Sequence, residues 1–210
     1  MADAPEITWY FDTVSPFSYL ALPAVEALAK RRAVALRPVV LGAVLNRWGA
    51  AGPAEVPPKR LHTYRLCQFL ADEAGTPMRF PPRHPFRSLE SLRLLAALGA
   101  TPAAVRTVFD FIWREGRDPS DPAEFDALSG RFAEGDLRAV PDAKEALREA
   151  TDAAIAAGVF GVPTLRIGTE LFWGVDAVPM AEAFLEDRSL FGRGEMARFA
   201  DLPVGVERRR

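Results

Sequence analysis

The sequence predicts an α/β fold in which a compact sheet is interrupted by a large all-helical insertion. Three observations carry that prediction. Strand, helix and strand patterns open the chain between Ile7 and Leu41. From Lys59 to about Ala157 the pattern is almost wholly helical. A β-hairpin and a closing helix then follow between Thr164 and Glu186. The expected organisation is a discontinuous sheet domain over residues 1–50 and 158–190, a helical insertion over 51–157, and a C-terminal tail over 191–210.

Each element has a local cause. Ile7-Thr8-Trp9-Tyr10-Phe11 is aromatic and β-branched, as strands are. Ser15 then suits a helix N-cap, and Pro16 suits the first helical position. Tyr19, Leu20, Leu22, Val25, Leu28 and Ala29 recur at the helical period, up to Lys30-Arg31-Arg32. Basic residues there suit the negative end of the helix dipole. Val34 to Leu41 reads as a second strand, parallel to the first because a helix joins them. Gly49 to Pro58 is a loop rich in Gly, Ala and Pro. Lys59 to Ala74 is a helix stopped by Gly75 and Pro77, and Pro81 to Pro85 is a stiff extended loop. Ser88 to Leu98 is a helix ended by Gly99. Thr101-Pro102 and Asp121-Pro122 repeat the cap-then-proline start, and Asp142 to Ala157 is a helix ending at Gly158. Thr164–Ile167 and Glu170–Trp173 flank Gly168-Thr169, a two-residue hairpin turn. Asp176 to Glu186 reads as the closing helix.

Composition removes several function classes. The chain has 210 residues, 49% hydrophobic and 26% charged, with a net charge of -2. That balance gives no electrostatic basis for binding nucleic acid or an anionic membrane. The basic cluster Arg208-Arg209-Arg210 reads as a solvated terminus. One cysteine, Cys67, allows no intramolecular disulfide, and it reads as a buried inert thiol in its helix. His62, His84 and Cys67 are too scattered to make a metal site. The first residues carry acids and no apolar run, unlike a signal peptide. No apolar run approaches the roughly 20 residues a membrane span needs. A cytoplasmic protein is expected.

Two places stand out chemically. Ser15 opens a helix, where unpaired N–H groups and the dipole favour an anion by about 0.3–1 kcal/mol at exposed sites. A thiolate placed there would be stabilised. The chain has no cysteine at that point, so the thiol would come from a cosubstrate; Ser15 also suffices simply as a cap. Val162-Pro163 is the second place. Only about 5–6% of X–Pro bonds are cis, and a proline opening a strand is ordinary. The informative feature is the pairing of a Ser-Pro helix start after the first strand with a Val-Pro before the terminal hairpin. Lys59 can serve a carboxylate or be a surface charge. Asn46 and Arg47 follow the second strand, at the end where α/β folds place ligands. Asp176 can cap a helix or hold an amine. Trp48, Trp173, Phe17 and Phe86 can form an aromatic wall or fill the core.

Taken together, these residues resemble the 2-hydroxychromene-2-carboxylate isomerases, relatives of kappa-class glutathione transferases within the disulfide-bond-oxidoreductase branch of thioredoxin-like folds. The resemblance rests on Tyr10-Phe11-Asp12 with Ser15 to Leu20, Arg37-Pro38-Val39 with Leu41-Gly42-Ala43, and Pro57 to Arg60. It continues through Phe80-Pro81 with His84-Pro85-Phe86, Gly158 to Thr164, and Leu171 to Gly174 with Asp176. It implies a thioredoxin-like fold, glutathione as cofactor and a homodimer. It further implies that Ser15 stabilises the glutathione thiolate, and that the Val162 backbone, before a cis proline, pairs with the cysteinyl part. Trp173, Gly174, Val175 and Asp176 would hold the γ-glutamyl end, with Lys59 as the cation for a carboxylate. Asn46, Arg47, Trp48 and Phe86 fall on the side of a small aromatic carboxylate substrate. In the family reaction the thiolate adds to a conjugated aromatic pyruvate, a bond rotates, and elimination returns glutathione.

The sequence departs from the family at Asn46, where many relatives carry lysine, at Arg87, where asparagine is common, and at Val175 and Ala177-Val178, which replace polar residues. Two further readings therefore stand beside the isomerase: a kappa-like transferase, and a protein that binds a thiol peptide without turnover. A disulfide oxidoreductase is disfavoured, because Ser15 and Ser18 leave no Cys-x-x-Cys pair.

Overall fold

Strand β1 (Ile7–Phe11) is buried along its whole length, and its alternating side chains serve two different cores. The computed structural model describes residues 6–132 and 142–206, so the terminal arginine cluster lies outside it. Ile7, Trp9 and Phe11 join Tyr19, Leu22 and Val25 of α1 (Pro16–Ala29) on one face. Tyr10 joins Val39, Val44, Ala154, Val159 and Val162 on the other. β1 pairs in parallel with β2 (Val34–Pro38) and antiparallel with β3 (Thr164–Ile167), which pairs antiparallel with β4 (Glu170–Trp173). The sheet order is β2-β1-β3-β4. The hairpin and the parallel opening unit are as expected.

The second strand is shorter than its pattern implied. It stops at Pro38, and Leu41–Trp48 forms an eight-residue helix, α2, that the sequence reading did not contain. Its start is set from a distance: the Leu41 N–H donates to Asp12 Oδ2 at 2.9 Å, and the Val40 N–H donates to the Thr151 hydroxyl at 3.1 Å. Gly49 ends it in the left-handed region (φ 61°), as a C-terminal glycine does. Asn46, Arg47 and Trp48 therefore sit on the last turn of a helix.

The insertion contains α3 (Pro57–Glu73), α4 (Leu89–Ala97), α5 (Pro102–Phe109), α6 (Pro122–Ser129) and α7 (Ala143–Ala156). Thr101 and Asp121 cap α5 and α6, as their sequence implied. Helix α5 runs on into a π-helical turn, Asp110–Arg114. The insertion does not stand apart from the sheet. Phe109 lies 6.2 Å from Trp9 and 5.6 Å from Phe11, ring to ring, in one core cluster.

Several boundaries differ from expectation: α3 begins at Pro57, two residues before Lys59, so that the last two residues read as loop are helical. Helix α1 ends at Ala29, which leaves Lys30-Arg31-Arg32 beyond it, and Arg31 pairs with Glu182 instead. Helix α8 (Val178–Glu186) starts two residues later than read, with Ala177 at its N-cap rather than Asp176. Past it, Phe191 stacks on Phe184 at 5.0 Å, so the start of the C-terminal segment is packed on the core. Among the described residues no helix is long and apolar enough to cross a membrane.

Candidate active site

Ser15 caps α1 and is 5% exposed. Its Oγ accepts the Ser18 N–H at 3.2 Å. That contact uses an oxygen lone pair and leaves the hydroxyl hydrogen free to donate. Pro16 has no N–H, and the Phe17 N–H has no partner among the described residues. The helix start thus offers one O–H and one N–H at its positive end. One turn on, the Ser18 hydroxyl is buried without a partner.

The loop before Ser15 is tied down at nearly every peptide. The Ser15 N–H donates to the Asp12 carbonyl at 3.0 Å. Asp12 Oδ1 accepts the Val14 N–H at 3.0 Å, and its Oδ2 accepts the first N–H of α2. Burial pushes the Asp12 carboxyl above its ordinary range, against those N–H groups and the Ser88 hydroxyl, which favour the anion. Trp113, carried by the π-helical turn, donates Nε1–H to the Thr13 carbonyl at 2.9 Å. The Thr13 and Ser91 hydroxyls meet at 2.7 Å. His84 Nε2 lies 2.9 Å from the Val14 carbonyl. The sequence reading gave Asp12, Trp113 and His84 no function. Asp12, three residues before the Ser-Pro start, and His84, in the His84-Pro85-Phe86 stretch, carried a positional signal through the resemblance, and Trp113 carried none.

The other half of the site is placed by strand register. Tyr10 pairs with Thr164, so the end of β1 that leads to Asp12 lies beside the start of β3, which Val162 and Pro163 precede. The Val162–Pro163 bond is cis. Val162 makes no backbone hydrogen bond among the described residues, although it is buried. Such a residue presents a strand-like N–H and C=O to whatever lies beside it. The Gly174 N–H donates to the Pro163 carbonyl at 2.9 Å, continuing the hairpin one residue beyond the β3–β4 pairs. Gly174 has φ +98°, and a Cβ there would lie 2.4 Å from Asp176 Oδ1. The Asp176 carboxylate is exposed and caps nothing.

The rim is aromatic. Trp173 is 54% exposed and covers Gly161, whose absent Cβ would lie 2.5 Å from the indole nitrogen. Phe160, which the sequence reading passed over, meets Trp173 edge-on at 5.3 Å. Trp48 donates Nε1–H to the Val159 carbonyl at 2.9 Å, joining α2 to the segment before the cis proline. Arg47 lies over the Trp48 ring, and Asn46 is exposed beside it. Lys59 is exposed on the first turn of α3, without an ion pair among the described residues. Phe86 is placed differently: it is 9% exposed and packs against His84 and Trp113. The sheet register thus puts the loop that leads from β1 to Ser15 and the Val162-Pro163 start of β3 at one end of the sheet, with Gly174, Val175 and Asp176 following from the hairpin, while Phe86 is in the core.

A serine-capped helix facing a cis-proline strand start defines a thioredoxin-like protein without the redox cysteines. The model of the DSBA-like thioredoxin domain matches residues 6–186. The chain belongs to this family, and within it to the 2-hydroxychromene-2-carboxylate isomerases. It is 34% identical over 187 residues to the 2-hydroxychromene-2-carboxylate isomerase of Pseudomonas putida, covering 84% of this chain and 92% of that one. Human glutathione S-transferase kappa 1 is 27% identical over 177 residues, 73% of this chain and 77% of the relative. A solved 2-hydroxychromene-2-carboxylate isomerase superposes with a TM-score of 0.73 at 27% identity, covering 94% of this chain and 99% of that one.

Proposed function

We propose that this protein is a glutathione-dependent isomerase that interconverts 2-hydroxychromene-2-carboxylate and trans-o-hydroxybenzylidenepyruvate. The observation that carries the reading is the free hydroxyl hydrogen of Ser15, at a helix start whose next N–H is also unpaired. The isomerase relatives support the reaction, and the kappa relative supports the cofactor.

The residues fit the peptide. Ser15 and the Phe17 N–H donate to the sulfur and favour its anion. The unpaired Val162 backbone suits the cysteinyl amide, and the exposed Asp176 carboxylate suits the γ-glutamyl amine. Lys59 suits a carboxylate. Bound glutathione would supply a thiolate that adds reversibly to the conjugated side chain of the substrate and is returned unchanged. Arg47 offers a guanidinium to the substrate carboxylate, and Trp48 offers a ring face to its aromatic part. Burial of Ser15 keeps water from competing for the sulfur.

The test is a spectrophotometric assay of chromene carboxylate conversion with and without glutathione. Turnover that requires glutathione and leaves the free-thiol concentration unchanged supports the isomerase. Loss of free thiol with an aryl halide, and no chromene turnover, would assign a kappa-like transferase. Calorimetric binding with neither activity would leave a binding protein.

A further inference from the structure

Every peptide between Asp12 and Ser15 is held, and the last clamp comes from a residue outside the assigned site. The Val14–Ser15 peptide is gripped at both ends: its N–H by the Asp12 carbonyl at 3.0 Å, its C=O by His84 Nε2 at 2.9 Å. We propose that His84 is a positioning residue for Ser15, fixing this peptide plane and with it the direction in which the Ser15 hydroxyl donates. The inference rests on the reading that Ser15 faces the glutathione sulfur.

The protonation pattern of His84 follows from its partners. A carbonyl only accepts, so Nε2 must carry the hydrogen toward Val14. Burial lowers the basicity of the ring, which leaves Nδ1 an acceptor. Nδ1 lies 2.8 Å from the Tyr64 hydroxyl. That hydroxyl is also 2.7 Å from the His84 carbonyl, so its one hydrogen lies between two acceptors of the same residue. Donation to Nδ1 polarises the ring and strengthens the Nε2–H bond to Val14. The ring cannot easily turn. Tyr64, Phe80, Phe86 and Trp113 surround it, each at a steep angle, with centroids 5.1, 5.8, 6.2 and 5.5 Å away. Phe86, read from the sequence as a substrate residue, is part of this frame. A group so oriented, bound to the reacting residue's own peptide, has the form of an outer partner that aims an inner one.

The experiment compares wild type, His84→Ala, His84→Gln and Tyr64→Phe. Two quantities are read: exchange of the Ser15 amide hydrogen in glutathione-free protein, and thiolate absorbance in the ultraviolet per bound glutathione at neutral pH. In His84→Ala the Ser15 amide should exchange at least about tenfold faster, and turnover should fall between about tenfold and a hundredfold, as misplacement of a reacting group does. The thiolate signal should drop with it. The glutamine amide can reach Val14, so His84→Gln should recover part of each signal. Tyr64→Phe keeps the Val14 contact, should show a smaller loss in the same direction, and serves if His84→Ala does not fold. A lower melting temperature with wild-type exchange and wild-type thiolate signal would make His84 merely structural and overturn the proposal. If wild type binds no glutathione by calorimetry, the cofactor reading falls instead; Ser15 amide exchange alone then decides the clamp, faster exchange supporting it and unchanged exchange overturning it.

Discussion

Replacing Ser15 by alanine separates a cap from a catalytic group. The stability cost can be worked from the cap geometry. The Ser18 N–H reaches the Ser15 side chain at 3.2 Å but also its carbonyl at 3.1 Å, so the N–H keeps a partner when the hydroxyl is removed. The loss therefore falls at the lower end for a helix cap, about 0.5–1 kcal/mol. For a chain of this length that lowers the melting temperature by about 1–4 °C. In the proposed mechanism the functional cost is larger, because there the hydroxyl is the side-chain donor to an anionic sulfur. Removing one such donor costs about a hundredfold to a thousandfold in rate. The assay is glutathione-dependent chromene carboxylate turnover, run beside a circular-dichroism melt. A variant that melts slightly lower but keeps turnover within about threefold of wild type, well inside that range, would reduce Ser15 to a cap and refute the mechanism.

Other perturbations test the frame. Gly174→Ala should cost about 1–2 kcal/mol from the positive φ and should weaken glutathione binding by displacing Asp176, read by melting and calorimetry. Cys67, buried with its thiol pushed up to about 12, should resist iodoacetamide at neutral pH and react once urea unfolds the chain, read by mass spectrometry. Burial holds His84 below its ordinary value of 6.5, so the folded state prefers the neutral ring. Stability from this group is complete above that value and is lost as pH falls from it toward the folded value. Wild type should therefore lose stability faster than His84→Gln in that window, by at most about 1.4 kcal/mol per pH unit, measured by urea titration. Phe109→Ala should cost about 3–5 kcal/mol and leave one transition by both circular dichroism and tryptophan fluorescence, since its ring joins the insertion to the sheet; two separate transitions would show two independent units.

Local chemistry made much of this protein legible in its sequence. Ser15-Pro16, Thr101-Pro102 and Asp121-Pro122 begin helices because a capping side chain and a pre-set proline φ act over three residues. The aromatic and β-branched run of β1 and the Gly168-Thr169 turn likewise operate within a few residues. The order of elements and the family resemblance follow from such signals. What acts at long range was not readable. Helix α2 begins where it does because Asp12 and Thr151, 29 and 111 residues away, take its first N–H groups. Phe86 has the same apolar ring whether it lines a rim or a core, and only packing against His84 and Trp113 decides which. His84 and Trp113 reach the loop before Ser15 from 70 and 100 residues along the chain. Sequence determined which groups this protein owns and where helices and strands start. Tertiary structure decided which of those groups aim Ser15, because a hydrogen bond to a backbone carbonyl depends on direction and distance and leaves no pattern in the residues that make it.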